Sequence, residues 1–233
     1  MICNIKRRPA GGIKVGTMAV GEIVQIAVSG VMTNFIVANQ GIPADTGTGY
    51  DGSYDASCDG TWMIAEALMD GPRVSGLQMW SYNLTSWFSA MIDEKVMNTI
   101  RQATYPSFYP NAYLVTAKIT RPSVRELNFL WTYKGSTYDG APLEYFLTHS
   151  AIMPWTGSST EADYWTRSKS PRDSSSEAVY VSNSGVASQR ASHSNARARP
   201  LFIFEPDTLV KKVSDWVYPV SYTHLTLPTT SRV

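Results

Sequence analysis

Charge is what this chain has least of. Asp, Glu, Lys and Arg make up 17% of its 233 residues, against roughly 25% in ordinary soluble domains. With 20 basic and 19 acidic residues the formal net charge is +1. The molecule therefore carries no field that would steer nucleic acid, and nucleic acid is not an expected partner. Lys6-Arg7-Arg8 is a short terminal cluster and reads as a solvated arm. Cysteine is almost as scarce. Cys3 and Cys58 are too few for a disulfide framework and lack the CxxC or Cys/His spacing of a zinc site. A bridge between them is disfavoured because a chain terminus is expected to be mobile. No apolar run approaches the ~20 residues of a membrane span, so membrane insertion is not expected. The basic N-terminus is not followed by the apolar stretch of a secretory signal. P-loop, GxGxxG and HExxH motifs are absent.

What the chain does have is aromatic and β-branched residues. It contains 13 Tyr and 7 Trp, and 43% of it is hydrophobic, enough for one good core. Residues 13–41 are rich in Val, Ile and Phe, punctuated by Gly21, Gly30 and Gly41, and "VSGVMTNF" reads as a hairpin turn between two strands. Helices are expected over "TWMIAEALM", with Asp59 near its start, and over "LTSWFSAMIDEKVMNTIRQA", where Leu84, Trp87, Phe88, Met91, Val96 and Ile100 keep helical spacing. "SVRE" is a capping box, Ser123 with Glu126, that predicts a helix over "VRELNFLW". "PLEYFLTHS" predicts one more. From Trp155 onward short strands return: "EADYWTRSKSP", "EAVYVSNSG" and "ARARPLFIF". Helices between two strand-rich ends predict an α+β domain whose terminal strands share one antiparallel sheet.

Three regions follow. Residues 1–14 read as a flexible arm and 15–216 as one domain. Residues 217–233, "VYPVSYTHLTLPTTSRV", keep neither helix nor strand period and resemble an adapter-derived tail, so they are expected to be non-native.

In order along the chain, "FIVANQGIP…YDASCDGTW", "AKITRPSVREL", "YWTRS.SP", "VYVSNSG" and "ARPLFIF" resemble the motifs of an uncharacterised domain family common in gut bacteria and their phages. The resemblance spans about residues 15–210. Such domains are similar to the C-type-lectin-like and formylglycine-generating-enzyme-like fold, and some are the variable proteins of diversity-generating retroelements. In those, a reverse transcriptase mutates adenines in a C-terminal repeat, and the products are often phage tail receptor-binding proteins or cell-surface ligand binders. One motif departs from the pattern. The usual "GVRP" is replaced by Arg197-Ala198-Arg199-Pro200, so the small glycine turn before the last strand is missing.

The resemblance implies a diversifiable binding face within about residues 158–199. Val179 and Val181 are expected to face the core, with Tyr180 and Ser182 outward. In the last strand the inward set is Leu201 and Ile203, or Phe202 and Phe204. Trp165 is expected to be buried scaffold. Mutated asparagine codons reach Arg172, Asp173, Ser174, Ser175, Asn183, Ser188, Arg190, Ser192, His193, Asn195 and Arg197, but not Lys169, Glu177 or Gln189. Those eleven residues with Tyr180 form the expected ligand-binding set, suited to shape and hydrogen bonding rather than bulk charge. The implied partner is a cell-surface protein or glycan, the implied location a phage virion or bacterial surface. Trimers are common among tail-tip proteins, but no heptad run fixes an oligomeric state.

Catalysis and cofactors have less support. Asp51, Asp55 and Asp59 lack EF-hand spacing and read as a turn with a helix cap, so no cofactor is expected, although C-type-lectin-like domains sometimes carry calcium. Cys58 with His149 is a conceivable nucleophile and base for a hydrolase, and no cysteine follows Cys58 to complete a formylglycine-generating pair. A hydrolase on the same fold and a purely structural phage or surface protein remain the alternatives.

Overall fold

A computed structural model describes residues 12–47, 53–70, 83–106, 114–129, 139–152, 163–169, 177–182, 185–190, 197–213 and 216–219. The domain is α+β, mostly sheet with a few short helices. Strands β1 (Ile13–Lys14), β2 (Ile23–Val28), β3 (Val31–Gln40) and β4 (Thr61–Ala65) come first. Helices α1 (Thr85–Ser89) and α2 (Glu94–Thr99) follow, then β5 (Ala103–Pro106), β6 (Leu114–Ala117) and β7 (Ile119–Thr120). The C-terminal part holds β8 (Tyr164–Lys169), β9 (Glu177–Ser182), β10 (Gly185–Arg190), β11 (Leu201–Phe204), β12 (Leu209–Val213) and β13 (Trp216–Pro219).

The main sheet has the order β1-β12-β13-β2-β3-β4-β11-β7. The predicted hairpin is its start: Val28 pairs with Val31, and Ser29 and Gly30 both take positive φ, 50° and 78°. This is the turn whose twist matches that of paired strands. The expected meeting of terminal strands in one sheet also holds, since β11 pairs antiparallel with β4, and β4 with β3. One pairing differs: β13 runs parallel to β2.

Three strands at the centre of this sheet bury both faces. Phe35 and Val37, Met63 and Ala65, Phe202 and Phe204 enter one core, closed by Leu84, Phe88, Ile92, Met97 and Ile100 of the helical region. Ile36 and Ala38, Trp62 and Ile64, Leu201 and Ile203 enter the other, closed by Tyr105, Phe146, Tyr164 and Val181. Period-2 alternation sends neighbouring residues to opposite faces. So both candidate inward sets of the last strand are inward, each to its own core.

The two-sided burial also explains the helix expected over residues 61–69. Thr61–Ala65 is apolar throughout because it is a central strand with cores on both sides, not because one helical face is buried. The long helix over 84–103 becomes α1 and α2. The Asp93 carboxylate accepts from the Lys95 amide at 2.7 Å and starts a new helix, while the Met91 carbonyl accepts from the Ser29 amide at 2.7 Å. The segment 142–150 keeps only a 3₁₀ turn, Glu144–Leu147. The capping box forms, but its helix stops after one turn at Asn128, φ 62°.

The region boundaries shift at both ends. Ile13 and Lys14, placed in the arm, pair with Val210 and Leu209, and Lys14 meets Asp207 at 2.6 Å. The tail boundary at Val217 falls inside β13, and residues 1–11 and 220–233 lie outside the described residues.

Close approach of β4 and β11 requires Gly60. A Cβ there would stand 2.5 Å from Ile203 Cγ2 and 2.6 Å from the Phe204 carbonyl oxygen. Gly60→Ala is expected to cost about 1–3 kcal/mol in denaturant unfolding; an unchanged midpoint would contradict this packing.

Candidate functional site

β8, β9 and β10 form a separate antiparallel sheet that frames the expected binding segment. β9 is the middle strand, with Trp165 opposite Tyr180 on one side and Ser188 opposite Val179 on the other. Two buried arginines fasten this small sheet to the rest of the molecule.

The first is Arg167 on β8, with its side chain fully withdrawn from water. All five of its N–H groups are used. Nε donates to the Pro106 carbonyl at 3.1 Å and Nη1 to the Arg121 carbonyl at 2.9 Å. Nη1 donates to Glu126 Oε2 at 2.6 Å, Nη2 to Glu126 Oε1, and Nη2 also to the Asp139 carbonyl at 3.2 Å. Its guanidinium lies over the Tyr105 ring, 5.2 Å from the centroid. Arg is the side chain suited to this task, because its planar fork meets a carboxylate in two parallel bonds.

Glu126 is equally saturated. Besides Arg167 it accepts from the Ser123 amide at 2.9 Å and the Tyr54 hydroxyl at 2.9 Å. The Ser123 hydroxyl accepts from the Glu126 amide at 3.0 Å, which completes the capping box. Tyr54 accepts in turn from the Ala141 amide at 3.0 Å. Burial, and then the Glu126 charge, holds the Tyr54 hydroxyl well above its ordinary pKa, so it remains a donor. Burial works against the Arg167 charge, but Glu126 outweighs it and the guanidinium stands above its ordinary range. Next along β8, the Ser168 hydroxyl donates to Asp139 Oδ2 and accepts from the Val124 amide at 2.7 Å.

The second anchor is Arg199, in the motif that replaces the glycine turn. Nε donates to the Ala65 carbonyl at 3.1 Å; Nη1 donates to the Ala151 carbonyl and Tyr164 Oη, both at 3.2 Å. The guanidinium lies 5.3 Å from the centroids of both Phe146 and Tyr164. One arginine thus joins β4, the segment after the 3₁₀ turn, and the start of β8. Without the glycine, the chain still reaches β11, by way of two isolated backbone bridges. Arg197 bridges to Tyr164, and Ala198 bridges to Met69.

The expected ligand-binding residues divide as follows. Arg172, Asp173, Ser174, Ser175, Asn183, Ser192, His193 and Asn195 lie outside the described residues. Ser188 and Arg190 stand on β10, opposite Val179 and Glu177. Arg197 is half-buried, and its Nε lies 3.5 Å from the Asp70 carboxylate. Tyr180 is a correction. It was expected outward, yet it is only 8% exposed, and its ring meets Trp165 edge-on at 5.7 Å. Ser182 is corrected likewise: its hydroxyl donates to the Gly185 carbonyl at 2.9 Å and closes the hairpin. Over Val179–Ser182 both faces of β9 are covered, Val179 and Val181 on one and Tyr180 on the other. Trp165 is buried scaffold, as its sequence context implied.

Residues considered for catalysis are placed for structure. Cys58 is a buried free thiol whose Sγ donates to the Thr104 carbonyl at 3.5 Å. Burial, then the charges of Glu126 and Asp55, pushes it up to about 12, so it is the thiol and not the thiolate at neutral pH. His149 stacks on Tyr145, rings 4.1 Å apart. Asp55 caps the 3₁₀ turn Ala56–Cys58, accepting from the Ser57 amide at 2.8 Å, and Asp59, expected near the start of a helix, ends that turn just before strand β4. Among the described residues no group of three or more His, Cys, Asp or Glu is arranged to hold a metal ion, and Asp51 lies outside them. No described helix is long and apolar enough to cross a membrane.

Sequence reasoning missed both arginine anchors. The available signal was an arginine in the middle of "YWTRS", a run otherwise fit for burial, which demands a buried acid elsewhere. Tyr54→Phe leaves Glu126 one donor short and the Ala141 amide without its acceptor. The expected loss is about 1–3 kcal/mol in denaturant unfolding; a loss near zero would show that the hydroxyl bears no load.

Comparison with known proteins comes down to one family. No curated protein and no solved structure matches this chain. Residues 56–206 match the family described as "Domain of unknown function (DUF6273)", a span that holds Cys58, Glu126, Asp139, Arg167 and Arg199. With well over half of its length matched, this chain belongs to the DUF6273 family.

Proposed function

We propose that this chain is a ligand-binding module with a C-type-lectin-like fold. Its C-terminal segment presents a diversifiable surface to a cell-surface protein or glycan, on a phage tail tip or a bacterial surface. One observation carries the reading. Every N–H group of Arg167 is taken by residues between 106 and 139, and every described polar partner of Arg199 lies between 65 and 164. Both arginine anchors thus draw their polar partners from outside residues 170–197, while within that segment β9 pairs with β8 through its backbone. Side chains in that segment can therefore change without loss of those contacts, the requirement for a surface that varies on a constant scaffold. The Ser, Asn and Arg content suits adaptable hydrogen bonding. Diversification by adenine mutagenesis rests on the motif resemblance and the codon set of these residues.

A hydrolase built on Cys58 and His149 is the weaker reading, because the thiol is buried, protonated and already bonded to a backbone carbonyl. A purely structural role is separated by experiment. The full chain is applied to a glycan array and to intact bacterial cells, beside a variant carrying alanine at Arg172, Asp173, Ser192, His193 and Asn195. Binding by the parent and at least about tenfold weaker binding by the variant are expected, with the melting temperature changed by no more than a few degrees. Blank arrays and cells with the parent, or equal binding by the variant, would overturn the proposal.

A further inference from the structure

Among the described residues, the hydrogen-bonded cluster around Arg167 holds two carboxyl groups and one guanidinium. Arg167 spends its bidentate fork on Glu126 and touches Asp139 only at its backbone carbonyl. The Asp139 carboxyl is bonded by neutral donors, the Ser168 hydroxyl and the Arg125 amide. The Arg125 guanidinium is directed elsewhere, with Nη2 on Thr46 Oγ1 at 2.8 Å. Among the described residues, the charged and titratable groups facing Asp139 are thus Glu126 from the one-turn segment and Arg167 from β8, with Tyr54 bonded behind Glu126. With Asp139 neutral the buried cluster has no net charge. With Asp139 ionised, the described groups of the cluster carry one net negative charge, which burial penalises.

We propose that Asp139 is a pH-dependent latch on the C-terminal end of β8, closed when its carboxyl is neutral and loosened when it ionises. Ser168 is the point of attachment, since its hydroxyl joins Asp139 to the Val124 amide and lies directly after Arg167. A neutral carboxyl keeps an acceptor oxygen for that hydroxyl. Burial holds the Asp139 carboxyl above its ordinary pKa, only partly offset by the Ser168 bond and the Arg167 charge. The folded chain therefore keeps this proton to higher pH than the unfolded chain does. The stability it contributes is complete below the ordinary aspartate value and is lost as pH rises through the folded value. This is the reverse of an ion-paired carboxylate. The inference concerns the fold alone and holds whether or not the segment after Lys169 binds a ligand.

Hydrogen exchange of the full chain tests it, corrected for intrinsic rates, between about pH 4 and about pH 8. In the parent, amides of Trp165–Ser168 are expected to lose about tenfold or more protection as pH rises, while the β2–β3 hairpin keeps its own. In Asp139→Asn, β8 protection is expected to stay flat. A flat profile in the parent, or the same fall in both proteins, would overturn the latch. If the variant fails to fold, ¹³C titration of the Asp139 carboxyl in the parent decides alone: a midpoint above the ordinary aspartate value supports the latch, and one at or below it rejects it.

Discussion

A guanidinium with all five N–H groups bonded and a carboxylate holding four donors, both sealed from water, is the constraint on which this fold depends. Arg167 and Glu126 draw together the end of β5, the residues after β7, the one-turn segment 123–126, the Asp139 carbonyl and β8. Such a pair adds little net stability over an apolar replacement, because both ions lose their hydration. Its effect is on geometry. Any displacement of β8 strands a charge in a site closed to solvent, so alternative positions of the strand are costly.

The scaffold around this pair is two cores divided by one sheet. Phe35, Phe88 and Phe202 pack on one face with ring centroids 5.2–6.2 Å apart. Tyr54, Trp62 and Tyr105 pack on the other, Trp62 edge-on to both, at 5.3 and 5.7 Å. The aromatic side of the second core is also the floor of the polar cluster, since Tyr54 donates to Glu126 and Arg167 lies over Tyr105. Packing and charge are therefore not separate layers here. The small sheet β8-β9-β10 is attached at this seam, and the segment proposed to bind ligand continues from it.

Sequence alone made the local features legible. The Ser29-Gly30 turn, the strand "LFIF", the Ser123–Glu126 capping box and the burial of Trp165 each follow from near neighbours. Features that depend on distant partners were hidden. "TWMIA" looks helical until strands on both sides and cores on both faces are known. The capping box gave no sign that its glutamate would be claimed by Arg167, 41 residues away. Tyr180 reads as an outward residue by alternation, and only the pairing that sets Trp165 opposite it reveals a second covered face. The proposed binding residues rest on composition and motif resemblance, which do not say where each one stands.

The central claim is that Glu126 and Arg167 act as one unit that fixes β8. A thermodynamic double-mutant cycle with Glu126→Gln and Arg167→Met, followed by denaturant unfolding, tests it most directly. Each single change strands a buried charge and is predicted to cost about 3–5 kcal/mol, while the double change costs much less than their sum, a coupling of roughly 2 kcal/mol or more. Additive losses, with coupling below about 0.5 kcal/mol, would contradict the account.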